Sequence, residues 1–179
     1  MSGIRTSGGA RMGRRRFLGA AATALAAPLV LPSRVLGRGG IAAPNDRIGI
    51  GVIGLGDRGP AHIRALLPVD QVRIAAVCDV FRSKAEKIKG LVDGHYGAAA
   101  GAGCAAVQDY REVLARDDVD AVIITAPENW HVKMSTDAMN AGRDVYCEKA
   151  LSLTVAEGRA VCGAVQRTGR VFQAGTQQR

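Results

Sequence analysis

The sequence predicts an α/β fold with a doubly wound, parallel six-stranded sheet, and three observations lead to this prediction. Beyond Arg47, short apolar runs alternate with amphipathic stretches of helical length, which is typical of parallel strands joined by crossover helices. The first run leads directly into a glycine-rich turn, and the second is followed directly by an acidic residue. Six runs are present, as many as a complete doubly wound sheet has strands.

Each predicted strand is a short apolar run, and the predicted helices are closed or followed by residues such as Pro68, Gly94, Gly142 and Gly169. The strands are predicted over residues 47–53, 72–78, 104–108, 120–125, 143–147 and 170–175. The helices are predicted over residues 59–67, 81–92, 109–116, 130–141 and 153–168. Residues 94–104 are glycine-rich and predict a flexible loop ahead of a weak third strand.

The segment before the domain predicts a signal peptide, residues 1–36, and a linker, residues 37–46. An arginine cluster precedes 15 apolar or small residues that end at Leu31, which is the layout of a secretory signal. The segment Arg14-Arg15-Arg16-Phe17-Leu18 resembles the signal that the twin-arginine (Tat) translocon reads. We therefore expect a Tat signal, the translocon as a partner, and export to the periplasm. An uncleaved leader that anchors the protein in a membrane stays open as an alternative.

The basic charge belongs to the leader rather than to the predicted domain. The net charge is +8, but seven of the 24 basic residues and no acidic residue lie in positions 1–40, which leaves 17 basic residues against 16 acidic ones. We therefore expect no nucleic-acid partner. The cysteines lack close metal-type pairing, so we expect buried structural thiols and no metal site. They are Cys78, Cys104, Cys147 and Cys162.

The turn after the first strand has the pattern G-x-G-x-x-G and predicts a dinucleotide site. In a strand–turn–helix context the first glycine allows the tight turn, the second lets the backbone approach a pyrophosphate, and the third permits close packing of helix on strand. The helix N-terminus adds free N–H groups for the phosphates. An ordinary glycine-rich turn is the alternative, because the chain has 23 glycines. The motif consists of Gly54, Leu55, Gly56, Asp57, Arg58 and Gly59.

Asp79 follows the second strand, 20 residues beyond Gly59, and favours NAD as the cofactor. An acidic side chain there accepts hydrogen bonds from the adenosine ribose, and its charge repels a 2′-phosphate. Arg82 lies three residues later and could accommodate a 2′-phosphate or cover the adenine, so NADP stays open. Asp79 could also serve as the N-cap of the following helix.

Two later segments leave the carboxyl ends of strands, where open α/β sheets bind ligands. They read APENWH (126–131) and CEKALS (147–152). Together with GVIGLGDRG, they resemble the glucose-fructose oxidoreductase and inositol dehydrogenase family (Gfo/Idh/MocA) over residues 47–179. The final GTQQR resembles the same stretch in Tat-exported members.

The resemblance implies an NAD(P)-binding Rossmann domain, followed in the family by an α/β substrate domain with a large antiparallel sheet. The family oxidises or reduces sugars, inositols and related polyols, and one branch cleaves glycosidic bonds through transient oxidation by bound NAD. Because the chain stops at Arg179, we expect a truncated oxidoreductase that lacks the substrate domain and its proton acceptor. A binding fragment without turnover is the alternative. Full-length relatives are expected to be homo-oligomers.

The resemblance also assigns site residues on the two later segments. Glu148 and Lys149 correspond to the family's Glu-Lys-Pro motif, and Lys149 would polarise the reacting oxygen beside the nicotinamide. Ala150 replaces the usual proline, which removes a constraint on φ. The cofactor-binding residues implied on the earlier segment are Ala126, Pro127, Asn129 and His131. For the last of these, capping or packing at the helix start is an equally weighted role, and Asn129 stands where exported relatives often have histidine.

Overall fold

The computed structural model describes residues 46–97 and 103–176. The predicted signal peptide, all but the last residue of the linker, part of the loop predicted over 94–104, and the last three residues of GTQQR lie outside the described residues.

Six parallel strands form one sheet, as the sequence predicts. They are β1 (Ile48–Ile53), β2 (Val72–Cys78), β3 (Ala105–Val107), β4 (Ala121–Ile124), β5 (Asp144–Glu148) and β6 (Phe172–Gly175). The strand order is β3-β2-β1-β4-β5-β6, so the order reverses between β1 and β4. This reversal is the topological switch point at which such sheets bind ligands.

Helices cover both faces of the sheet. They are α1 (Arg58–Leu66), α2 (Arg82–Tyr96), α3 (Tyr110–Leu114), α4 (Glu128–Asn140) and α5 (Val155–Thr168). One buried cluster joins α1 and α2 to the sheet through side chains such as Ile63 and Ile88. A second joins α3, α4 and α5 to the other face through Val113, Met139 and Val161. The predicted doubly wound α/β fold is therefore confirmed.

The end of α2 differs from the prediction, and the start of α5 is fixed by a local capping motif. The predicted second helix stops at residue 92, but α2 continues through Gly94 to Tyr96, whose hydroxyl accepts a hydrogen bond from Ile74 N at 3.2 Å. This contact with β2 extends the helix past a weak helix former. At α5, the Thr154 side chain accepts from Glu157 N while the Glu157 carboxylate accepts from Thr154 N, a capping box that fixes the helix start.

The amino ends of the strands are tied together by charged side chains. Asp118 accepts hydrogen bonds from Arg116 at 2.8 and 2.9 Å and from Arg73 at 2.9 Å. The hydrogen bonds from Arg116 hold the pKa of Asp118 below its usual value, and those from Arg73 add to this effect against the opposing effect of burial. Within residues 46–97 and 103–176, no helix is long and apolar enough to cross a membrane.

Candidate functional site

A cavity of about 880 Å³ opens at the carboxyl ends of the strands. Its lining includes Gly54 after β1, Asp79 after β2, Ala126 after β4 and Lys149 after β5, so it lies across the switch point. Its volume falls within the range that accommodates a cofactor or a drug-sized ligand. The site is therefore built where the topology of the sheet predicts it.

The three motif glycines have three different structural reasons. Gly54 has a positive φ of 92°, and a Cβ there would lie 2.7 Å from Ala126 N. A Cβ on Gly59 would lie only 2.2 Å from the carbonyl oxygen of Gly54, so this glycine lets α1 begin against the end of β1. Gly56 has no atom within 4 Å of its Cβ position and lines the cavity. Only Gly56 leaves space that a ligand can fill.

Two neighbouring strands hold the glycine loop, residues 54–59, in place. Gly54 N donates to Cys78 O at 2.8 Å, which fixes the loop to the end of β2. Thr125 Oγ1 donates to Gly54 O at 2.6 Å, which fixes it to the end of β4. Thr125 was not predicted as a site residue, although it lies directly after β4 and next to the predicted site residue Ala126.

Asp79 is buried and holds the glycine loop as well as lining the cavity. Its Oδ2 accepts from Leu55 N at 2.8 Å, and its Oδ1 accepts from Phe81 N at 2.9 Å. The N-cap position of α2 is occupied by Phe81, so the predicted alternative role of Asp79 as the N-cap is wrong. Each carboxylate oxygen has a further lone pair, so Asp79 can still accept a hydrogen bond from a ligand.

The cavity wall beside Asp79 is formed by residues that the sequence analysis missed. Val80, Phe81 and Lys84 line it, and Lys84 Nζ lies 4.9 Å from the centroid of the Phe81 ring. Arg82 does not line the cavity; its side chain is 77% exposed and lies 3.8 Å from Glu86. The placement of Arg82 thus gives no support to a contact with a bound cofactor, and Lys84 is the lining cation on α2.

At the other end of the cavity, a buried carboxylate lies beside an exposed lysine. Glu148 Oε1 lies 2.8 Å from His62 Nε2 and 3.5 Å from Arg58 NH2, and its Oε2 accepts from Lys149 N at 3.3 Å. Burial acts to raise the pKa of Glu148, but the hydrogen bonds from His62 and from Lys149 N, together with the charge of Arg58, outweigh burial and leave this pKa below its usual value. Glu148 is therefore ionised at neutral pH.

His131 lies behind the cavity wall rather than in it. It is 1% exposed, and it is absent from the lining. Its Nδ1 lies 2.7 Å from Ala150 O and its Nε2 lies 2.7 Å from Ala126 O. His131 thus joins the loop after β4 to the loop after β5, which corresponds to the packing role and not to the predicted place beside a cofactor. The adjoining Lys149–Ala150 peptide bond is cis.

The structure brings most of the predicted site residues together. Those that line the cavity are Gly54, Leu55, Gly56, Arg58, Asp79, Ala126, Pro127, Glu148 and Lys149. Those that do not line it are Asp57, Gly59, Arg82, Asn129 and His131. Gly59 and His131 nevertheless support the lining residues from behind, through the contacts described above.

An apolar part of the wall was also missed. Trp130, which is 43% exposed, and Met134 both line the cavity. They are four residues apart on α4, so they lie on one face of the helix, and this spacing is visible in the sequence. Tyr110 also lines the cavity, and its hydroxyl donates to Asp137 Oδ2 at 2.5 Å. These three side chains give the site an aromatic and apolar surface.

Comparison with known proteins identifies the family. Residues 48–176 match the model of the Gfo/Idh/MocA oxidoreductase family, NAD-binding Rossmann fold. A glycosyl hydrolase family 109 protein of Shewanella baltica is 30% identical over 170 residues, which cover 87% of this chain and 37% of that protein. An α-N-acetylgalactosaminidase of Shewanella oneidensis is 31% identical over 130 residues, which cover 72% of this chain and 28% of the relative.

Solved structures agree with this assignment. Myo-inositol 2-dehydrogenase of Lactobacillus plantarum is 28% identical with a TM-score of 0.62, over 72% of this chain and 36% of that one. A 3-ketoreductase of Actinomadura kijaniata, solved with TDP-benzene and NADP, shares the fold at 24% identity with a TM-score of 0.63, over 72% of this chain and 38% of that one. The chain thus spans 37% of the length of the Shewanella baltica relative. It belongs to the Gfo/Idh/MocA oxidoreductase family, and residues 48–176 are its NAD(P)-binding Rossmann domain.

Proposed function

We propose that the cavity binds NAD, with adenosine beside Asp79 and nicotinamide beside Lys149, for hydride transfer with a CH–OH carbon of a sugar, inositol or related polyol. One observation carries the proposal: a single cavity joins Asp79, the open Gly56 and Lys149 across the switch point. Dinucleotides bind across that crevice in this fold.

The residues of the chain fit the parts of the cofactor. Gly56 leaves room for a pyrophosphate near the N-terminus of α1, where backbone N–H groups and the helix dipole favour anions. The free lone pairs of Asp79 suit the ribose hydroxyls, and its charge opposes a 2′-phosphate. This charge is the reason to prefer NAD to NADP as the natural cofactor.

At the other end, Lys149 suits a role toward the substrate. It is exposed and lines the cavity, and an ammonium group there would donate a hydrogen bond to the reacting oxygen and polarise it. Bound nicotinamide would supply the hydride acceptor or donor. Because the chain covers 37% of the length of its relative, the activity and the substrate of the whole protein form part of the proposal.

Binding can be tested with the protein's own fluorophore. Trp130 is the one tryptophan of the chain and lines the cavity, so energy transfer from it to the reduced nicotinamide reports binding at this site. We expect NADH to quench Trp130 and to show sensitised emission. NADH binding without any change at Trp130 would contradict the proposed placement of the cofactor.

The role of Asp79 in selectivity is tested by the ratio of NADPH affinity to NADH affinity, rather than by the affinity for one nucleotide. Replacement of Asp79 disturbs its hydrogen bonds with Leu55 N and Phe81 N, and this weakens the binding of NADH and NADPH alike. Loss of the charge favours NADPH alone. We therefore expect Asp79→Asn to raise the NADPH-to-NADH affinity ratio about tenfold, or about 1.4 kcal/mol. An unchanged ratio would refute the role of Asp79 in selectivity.

A second candidate is glycoside cleavage that uses transient oxidation by bound NAD. It is favoured by relatives named glycosyl hydrolase family 109 protein and α-N-acetylgalactosaminidase. A chromogenic glycoside would release its aglycone without net formation of NADH, whereas a dehydrogenase would produce NADH from a free sugar or polyol. Binding of NADH without either reaction would indicate a nucleotide-binding module.

We also propose that the protein is exported by the Tat translocon to the periplasm, on the basis of the arginine cluster at 14–16. Replacing Arg14 and Arg15 with lysine should leave the precursor in the cytoplasm. Export that continues at the normal rate would refute dependence on Tat.

A further inference from the structure

We propose that His62, a residue outside the cavity, positions the nicotinamide half of the site by acting through Glu148 on Lys149. The inference rests on the proposed function, because it assigns His62 to one end of the same cofactor site. His62 lies on α1, four residues beyond Arg58, and belongs neither to the glycine motif nor to the cavity lining.

The contact between His62 and Glu148 has a defined direction. An ionised carboxylate can only accept hydrogen bonds, and Glu148 is ionised because its hydrogen bonds and the charge of Arg58 outweigh the effect of burial on its pKa. His62 Nε2 must therefore carry the proton that it donates to Glu148 Oε1 across 2.8 Å.

The same carboxylate also contacts the segment that carries the lysine. Glu148 Oε2 accepts from the backbone N–H of Lys149 at 3.3 Å, so one side chain connects α1 with the start of the loop after β5. A buried charge without its partners is costly. Without the donor on His62, Glu148 loses the shortest of its three hydrogen bonds. Its carboxylate is then held less firmly, and so is the backbone of Lys149 that it contacts.

The imidazole itself is held from the side of the sheet. Its ring packs edge-on against the Tyr146 ring, with centroids 5.3 Å apart and an interplanar angle of 66°. The Tyr146 hydroxyl in turn packs closely against Gly175 on β6, where an added Cβ would lie only 2.6 Å from its oxygen. His62 is therefore fixed by a ring contact on one side and by Glu148 on the other.

The position of this pair predicts a local effect on binding. Glu148 and Lys149 lie at the β5 end of the cavity, whereas Asp79 and Phe81 lie at the β2 end. Loss of the His62 hydrogen bond should therefore weaken the binding of ligands that reach the nicotinamide end of the cavity. Ligands that occupy only the adenosine end should bind as before.

The test compares NADH with AMP, which lacks the nicotinamide half, by isothermal titration calorimetry on the full chain. His62→Phe keeps a ring against Tyr146 but removes the donor. We expect His62→Phe to lower the affinity for NADH about tenfold and to change the affinity for AMP less than about twofold. His62→Gln retains an N–H donor and should recover part of the NADH affinity.

His95→Phe is the matched control. His95 also packs edge-on against a tyrosine, Tyr96, with centroids 5.3 Å apart, but it is exposed and does not line the cavity. It should leave both affinities unchanged. Glu148→Gln should lower NADH affinity selectively, as His62→Phe does. The variant that carries both substitutions should lose less NADH affinity than the product of the two single fold-losses, because the two residues act as one unit.

The outcomes separate this inference from the proposed function. If the wild type bound both nucleotides and His62→Phe left NADH affinity unchanged, the role of His62 would be overturned but the proposed function would stand. Equal weakening of NADH and AMP would also overturn it, because that result indicates a general structural role. If the wild-type chain bound neither nucleotide, the proposed function would fail and the inference would fall with it.

Discussion

Replacing Gly59 with alanine tests whether α1 must begin in contact with the end of β1. The new Cβ would lie 2.2 Å from Gly54 O and 3.0 Å from Thr125 Oγ1. The first neighbour is a backbone atom in a loop that Cys78 O holds at 2.8 Å, so it cannot rotate away. Overpacking of this kind costs about 3 kcal/mol at the upper end of its usual range, whereas alanine returns about 1 kcal/mol of helix propensity. We expect a net loss of about 2 kcal/mol.

Gly90→Ala provides the matched control for this substitution. Gly90 also lies inside a helix, α2, but its Cβ position has no neighbour within 4 Å. The same chemical change should therefore stabilise the protein by about 1 kcal/mol through helix propensity alone. The two variants should then differ in free energy of unfolding by about 3 kcal/mol, which isolates the effect of the contact with Gly54.

Urea denaturation of the two variants and the wild type measures this difference, and thermal denaturation checks it. For a chain of this size a loss of about 2 kcal/mol lowers Tm by roughly 4–8 °C. Gly59→Ala should also weaken NADH, because α1 can move only by displacing the glycine loop. If Gly59→Ala were as stable as Gly90→Ala, the close approach of α1 to β1 would not be a requirement of the fold, and the reasoning would be refuted.

Three further predictions follow from the same structure. Asp118→Asn should destabilise the protein at neutral pH, and the gap from wild type should close as pH falls below about 4, because the hydrogen bonds from Arg116 lower the pKa of Asp118; a gap in Tm that is independent of pH would contradict this. Cys162 is exposed, so the prediction of a buried thiol was wrong for this residue. At pH 8 it should be the one thiol that reacts quickly with a disulfide reagent, because burial raises the pKa of the other three thiols to about 11 or 12; two fast thiols would disprove this. Thr125→Val should cost about 1 kcal/mol in urea denaturation by removing the donor to Gly54 O, and unchanged stability would show that this bond contributes nothing.

The backbone of the domain could be predicted because its signals are local. Strand and helix periods repeat over a few residues, and the glycine motif marks its own strand–turn–helix context. Even the three-residue β3 follows from this alternation. The end of α2 was predicted four residues short because Gly94 is a local stop signal, whereas the hydroxyl of Tyr96 contacts β2 across 22 positions of sequence.

Side-chain partners could not be predicted in the same way, because they join distant parts of the chain. His62 and Glu148 are 86 positions apart, and no periodicity or motif connects them. Arg82 and Lys84 illustrate the same limit over a short distance. Both are cations in the first turn of α2, but only Lys84 lies on the face of the helix that turns toward the cavity.

Asp79 shows why a site residue predicted from the sequence still needs the structure before its role can be tested. From the sequence, loss of NADH affinity on replacing Asp79 would count as proof of a contact with ribose. In the structure the same carboxylate holds Leu55 N and Phe81 N, so the glycine loop would be disturbed and affinity would fall even without a ribose contact. The repulsion between its charge and a 2′-phosphate acts on NADPH alone. Selectivity between the two nucleotides, rather than affinity for either, therefore measures what Asp79 does for the cofactor.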